Sequence, residues 1–257
     1  MDKSVLACGL ALVLLGLGLA SCDVPAVDPT ALASATQPAT QTATPVWFPL
    51  TATPTLLPTL PRTPTPDLRP EIGEIILADG LSVEQAWYTF PGSIGNITFS
   101  EDHLTLAVNQ PPGMIYAIRE TPILTDFYSE ITADINFCQT GDEYGLMVRV
   151  DNDRLDHFRF AISCDGQAKI VQVHGSSGVV LEPLLKDPVI PIGFPGQTRL
   201  AVWASGEEIR FFVNGKYLFS IVDRIIGQGA LGVYVRTTGE DPISINFSQQ
   251  VIHELLP

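Results

Sequence analysis

Hydrophobic and polar residues alternate with a period of two through the last half of the chain. In DFYSEITADINF, Phe127, Ser129, Ile131, Ala133, Ile135 and Phe137 mark one face, and Asp126, Tyr128, Glu130, Thr132, Asp134 and Asn136 mark the other. Short runs of the same kind follow: YGLMVRV (144–150), HFRFAIS (157–163), KIVQVH (169–174), RLAVWAS (199–205), EIRFFV (208–213), YLFSIV (217–222), LGVYVR (231–236) and ISINFSQQVIHEL (243–255). No stretch keeps a 3.6-residue period over three turns, so the pattern predicts strands and no helices. Asn214-Gly215 stands between two apolar runs, the strongest short signal for a two-residue hairpin. TGDE, DNDR and CDGQ give turn chemistry near positions 141, 152 and 165. Many short strands with closely spaced turns predict an all-β sandwich or barrel.

The N-terminal third reads differently. Lys3 precedes an apolar run over 5–19. That is shorter than the ~20 residues a helix needs to span a bilayer, and it suits the apolar region of a secretory signal. It ends in Leu19-Ala20-Ser21-Cys22, which resembles the bacterial lipobox. The resemblance implies cleavage before Cys22, a diacylglyceryl group on its thiol and an acylated new amino terminus, and more than one acyl chain makes a stable anchor. An ordinary secretory signal with an unrelated Cys, or an uncleaved anchor, is the alternative. Asp23 follows, a residue that in some double-membrane bacteria keeps lipoproteins on the inner membrane.

Residues 23–70 hold 11 of the 21 Pro and 11 Thr, in phrases such as TATPTLLPTLPRTPTP. Pro lacks an amide donor and fixes φ, so neither helix nor central strand suits it. The composition predicts a disordered spacer biased to polyproline II, reaching at most about 150 Å. Val46-Trp47-Phe48 is an apolar island within it. The expected organisation is a lipoprotein signal peptide over 1–21, a lipid-anchored stalk over 22–70 and one β-sandwich domain over 71–257.

Charge and cysteines narrow the setting. The net charge is −14, and 24 acids against 11 bases from residue 71 onward put −13 of it on the domain. That argues against nucleic acid and against close docking on anionic lipid. Of four Cys, Cys8 lies in the signal and Cys22 takes the lipid, leaving Cys138 and Cys164. An even pair in an oxidising compartment is expected as one disulfide, with two buried free thiols as the alternative. The predicted meander brings both to one end of a sheet. No His or further Cys stands at ligand spacing, so no cysteine metal site is expected.

The segments YGLMVRVDNDRLDHFRFAISCDGQAKIVQV and TRLAVWASGEEIRFFVNGKYLFSIVDRIIGQGALGVYV resemble the concanavalin A-like lectin/glucanase jelly roll. They are similar, more narrowly, to laminin-G-like domains and to the bacterial domain described as 3-keto-disaccharide hydrolase. The shared pattern is Phe212-Val213-Asn214-Gly215, then Asp223, then Gly227 to Tyr234; LADGLSVEQAWYTF loosely matches the opening strand, with Trp87 as a core aromatic. The resemblance implies two packed antiparallel sheets over most of residues 72–256. It leaves function open, because this fold carries lectins, hydrolases and adhesion modules.

Chemistry is sparse. Glucanases of this fold place acids at every second residue of one strand, whereas Asp126, Glu130 and Asp134 share a face four residues apart. At ~3.3 Å per residue neighbours lie about 13 Å apart, beyond the ~5–9.5 Å that paired glycosidase carboxylates need. Asp151, Asp153 and Asp156 offer hard oxygen ligands for Ca²⁺, but without the spacing of a calcium loop and with Arg154 among them; a plain β-turn is the alternative. His103, His157, His174 and His253 are isolated in sequence, and no nucleophile elbow, phosphate loop or dinucleotide fingerprint is present. Asn96-Ile97-Thr98 and Asn246-Phe247-Ser248 match the glycosylation triplet, which a bacterial lipoprotein is not expected to use.

Alternation suggests one polar sheet face. With Phe158, Phe160 and Ile162 inward, His157 and Arg159 point away, with Arg149 on the strand before and Asp134 and Asn136 on the strand before that. Trp203 and Tyr234 on later strands add rings. Aromatic faces with planar polar groups suit sugars. The expected function is therefore a stalk-mounted, non-catalytic glycan-binding module outside the cytoplasm, touching polysaccharide. The alternative is a structural or protein-interaction ectodomain with an envelope partner. An enzyme of the 3-keto-disaccharide hydrolase type is less expected, and no cofactor is expected unless Ca²⁺ binds.

Overall fold

The computed structural model describes residues 66–256. The signal segment, Cys22 and the stalk up to residue 65 lie outside the described residues. Fifteen strands follow in order: β1 (Ile72–Asp79), β2 (Trp87–Phe90), β3 (Gly95–Phe99), β4 (Leu104–Val108), β5 (Gly113–Leu124), β6 (Phe127–Phe137), β7 (Glu143–Val150), β8 (His157–Ser163), β9 (Gln167–His174), β10 (Ser177–Lys186), β11 (Gly196–Ser205), β12 (Glu208–Val213), β13 (Lys216–Val222), β14 (Gly229–Thr237) and β15 (Ile243–Leu255). A single 3₁₀ turn, Glu84–Ala86, precedes β2.

The strands form two antiparallel sheets. The first runs β13-β12-β11-β6-β15-β4-β3, with β1 also paired to β15; the second runs β10-β9-β8-β7-β14-β5-β2. β15 pairs β6 along one side and divides its other side between β4 and β1. Between the sheets lies one large apolar core, fed by alternate residues of nearly every strand. Phe160 of the second sheet meets Phe211 and Phe219 of the first, with ring centroids 4.9 and 5.9 Å apart. Trp87 belongs to this core. One polar link crosses it, a 2.7 Å hydrogen bond between the hydroxyls of Tyr144 on β7 and Thr198 on β11. This is a jelly-roll β-sandwich.

The Asn214-Gly215 hairpin forms as expected between β12 and β13. Both residues have positive φ, 49° and 79°, the twist a two-residue hairpin needs. The Asn214 carboxamide oxygen accepts the Arg199 amide at 2.9 Å, which ties the hairpin to β11.

The connection after β6 departs from the expected meander. β6 lies in the first sheet and β7 in the second, so residues 138–142 cross between sheets. Cys138 follows β6 and Cys164 follows β8, and they are joined as a disulfide with Cα atoms 5.9 Å apart. The bridge therefore ties the two sheets together at one end of the sandwich. It does not run along a single sheet.

The folded unit also begins before residue 71. Leu68 packs with Ile72, Tyr217 and Leu255 on Tyr128, Ala201, Trp203 and Phe212, the apolar part of the outer face of the first sheet. The last residues assigned to the stalk thus cover a sheet face.

Candidate functional site

The residues expected on one polar face are divided by the structure among three places. Asp134 and Asn136 sit on β6 in the first sheet. Asp134 accepts a 2.8 Å hydrogen bond from Gln197, and Asn136 donates at 2.9 Å to Asn246, which also accepts from Thr105. These are ladders between neighbouring strands of a solvated face. Trp203 is on the same outer face but is 5% exposed. Its indole N–H donates to the Pro70 carbonyl at 2.9 Å, and the Arg210 guanidinium lies over its ring at 4.2 Å. With its one polar atom satisfied and Arg210 over its face, this ring serves packing.

Arg149 is on neither outer face. It has φ 52° at a break in the β7–β14 register, so its side chain leaves the alternation. It is fully buried at one end of the sandwich and donates to the carbonyls of Thr125, Gly206 and Ile226. Burial lowers its pKa, while Asp223 and Asp126 oppose that shift. Its work is to hold three loops.

The Asp turn after β7 is closed on itself. Asp151 accepts the amides of Leu155 and Asp156 at 2.7 and 3.1 Å, and Asp156 faces His174 at 2.7 Å and accepts the Gly175 amide at 3.3 Å. Asp153 adds no partner to the turn. Among the described residues, no three His, Cys, Asp or Glu side chains gather as metal ligands.

His157, Arg159 and Tyr234 do share a face, the outer side of the second sheet. Register places Tyr234 opposite Tyr116 on one side and Gly145 on the other; Gly145 faces Ala161, which faces Lys169. Gly145 is required by close approach, because a Cβ there would run into the Phe160 carbonyl. The small residues leave room for the Tyr234 ring, which is 1% exposed, and the Arg159 guanidinium lies 5.8 Å from its centroid.

Two groups that sequence reasoning did not place complete this face. The first is aromatic. Phe90 stacks on Tyr116 with centroids 5.0 Å apart, Tyr88 lies 6.4 Å from Tyr116, and Arg154 sits 3.7 Å over the Tyr88 ring. Phe90 is 44% exposed. The second is charged. Glu143 pairs with Lys169 and faces Arg236 at 3.6 Å. The alternation of WYTF (87–90) and MIYAI (114–118), with Trp87, Ile115 and Ala117 inward, carried the signal for the aromatic row.

Several buried polar atoms on this face have no partner: both His157 ring nitrogens, Arg159 Nε and the Tyr234 hydroxyl. Burial lowers the His157 pKa to about 4, helped by the nearby Arg159 cation, so the ring is neutral at pH 7. Burial also pushes the Tyr234 phenol far above its ordinary value, with Glu143 adding to the shift.

An open hollow of about 680 Å³ lies apart from these residues, lined by Gly166, Lys186, Asp187, Pro188, Ile190, Pro191 and Ile192. It is mostly apolar, and Asp187 is taken up by Lys216 at 2.6 Å.

No protein-family profile matches the chain, and no curated protein matches it in sequence. Solved structures do resemble it. The carbohydrate-binding module CBM66 from Bacillus subtilis superposes with a TM-score of 0.54 at 15% identity, over 66% of this chain and 96% of that one. The catalytic domain of an endo-1,3-β-glucanase (laminarinase) from Thermotoga petrophila gives 0.54 at 7%, over 72% and 98%. A Bacillus licheniformis β-glucanase gives 0.51 at 10%, over 72% and 99%. The domain has the concanavalin A-like lectin/glucanase fold; at these identities the likeness speaks for the fold alone.

Proposed function

We propose that this protein is a cell-surface lipoprotein, anchored through lipid on Cys22, whose stalk presents a non-catalytic glycan-binding domain. The observation that carries the reading is the row Tyr88, Phe90 and Tyr116 beside Arg154 and Arg159 on the outer face of the second sheet. Sugars offer apolar C–H faces to aromatic rings and hydroxyls to planar polar groups. The similar solved structures include a carbohydrate-binding module and glucan-active enzymes, which supports a carbohydrate ligand. Two acids described on the proposed face are held by cations: Glu143 by Lys169 and Arg236, Glu120 by Arg154. That suits binding better than proton transfer. A net charge of −13 from residue 71 onward keeps nucleic acid off the list of partners.

A glycan-array screen of the full chain in detergent tests the reading. The expected result is binding to at least one polysaccharide class, lost in Tyr116→Ala. No binding by a folded chain would overturn it. The second reading, an ectodomain that pairs with an envelope protein, is favoured by β10. This edge strand exposes Val179, Val180 and Leu184 at 62%, 53% and 55%, and a free edge accepts another strand. Cross-linking from β10 to one partner, insensitive to sugar, would establish it.

A further inference from the structure

Buried polar groups in native proteins find partners, and those that lack one point to something that binds there. The outer face of the second sheet concentrates such groups. The Tyr234 hydroxyl is buried and unpartnered, although Glu143, Arg159 and Arg236 lie close enough to act on it electrostatically. Arg159 has no carboxylate partner among the described residues, its Nε is buried without an acceptor, and its Nη1 donates only to the Met114 thioether at 3.1 Å. A thioether is a weak acceptor. Lys169 and Arg236 share a single carboxylate, Glu143. Among the described residues, these three cations share one paired acid, a local surplus of two positive charges in a domain that is otherwise strongly acidic.

We propose that Arg159, Tyr234, Lys169 and Arg236 form a subsite for the carboxylate of an acidic sugar, so that the glycan this domain binds carries uronic acid units. The inference rests on the glycan-binding reading above. A planar carboxylate matches the guanidinium fork and accepts from the protonated phenol. Glu143 disfavours a dianion such as a phosphate monoester, while two surplus charges suffice for a monoanion. Tyr116, paired in register with Tyr234, and Phe90 beside it give the sugar ring a wall next to its carboxylate.

The test titrates the full chain with galacturonate and glucuronate trisaccharides, and with the same trisaccharides after carboxyl reduction. At least one uronate is expected to bind, with carboxyl reduction or Arg159→Ala weakening it about 10- to 100-fold, as loss of a charge-assisted hydrogen bond does. Tyr234→Phe removes only the hydroxyl and should weaken binding about 5- to 10-fold at an unchanged melting temperature. Equal binding of reduced and unreduced sugars, or no effect of Tyr234→Phe and Arg159→Lys, would overturn the proposal. If only neutral glycans bind, and Tyr116→Ala abolishes that, the glycan reading stands and the carboxylate subsite falls. If no glycan binds, both fall.

Discussion

Trp203 and Tyr234 are both nearly buried aromatic residues on outer sheet faces, and their surroundings give them opposite roles. Trp203 is sealed by the backbone of residues 68–70 and by Arg210, with its one polar atom satisfied. Tyr234 keeps an unpartnered hydroxyl among charges. Trp203→Ala should therefore cost about 3–5 kcal/mol in urea unfolding, typical of an emptied aromatic site, while glycan affinity of the folded fraction stays unchanged. His157 makes a sharper residue-scale case. Its folded pKa of about 4 lies below the ordinary 6.5, so the unfolded chain binds the proton more readily. Its contribution is full above about pH 6.5 and is lost as pH falls toward 4, up to about 3 kcal/mol in all. NMR titration should show the His157 ring neutral at pH 5, and His157→Phe should flatten the stability profile between pH 6.5 and 4. An imidazole titrating near 6.5 would contradict the burial argument.

At the scale of elements, strong alternation was legible and sheet membership was not. β6, β8, β11, β12, β14 and the Asn214-Gly215 hairpin follow their sequence pattern closely, because each has one face in the core. β10 does not: SGVVLEPLLK is an edge strand with register shifts, so no alternation marks it. β1 to β5 were likewise not read as a set, and β2 with β5 carries the aromatic row. Which sheet a strand joins depends on a few crossover residues, here 138–142, and local periodicity carries no information about that choice. The one-residue irregularity at Arg149 had the same effect, turning a face residue into a loop anchor. The disulfide follows from this topology. Closing a loop of 26 residues across two sheets should stabilise by about 3 kcal/mol in the chain-entropy model. Reduction should lower the denaturant midpoint accordingly, and the Cys138→Ala/Cys164→Ala chain should match the reduced protein. An unchanged midpoint would mean that the two sheets hold together without the staple.

For the whole molecule, the two outer faces differ in what covers them. The first sheet's outer face is occupied, by residues 68–72 over Trp203 at one part and by amide and hydroxyl ladders at another. The second sheet's outer face carries rings with open surface and cations with spare donors. Residues 68–72 and the proposed ligand face thus lie on opposite sheets of the sandwich. The measurement that tests this most directly is a side-by-side titration of the best array glycan into the full chain, Tyr116→Ala and Trp203→Ala, each checked for folding. About 10-fold or greater loss is expected for Tyr116→Ala, as removal of a stacking ring gives, with native affinity for folded Trp203→Ala. The reverse pattern, binding lost with Trp203 and kept without Tyr116, would place the ligand on the first sheet and overturn the second-sheet site.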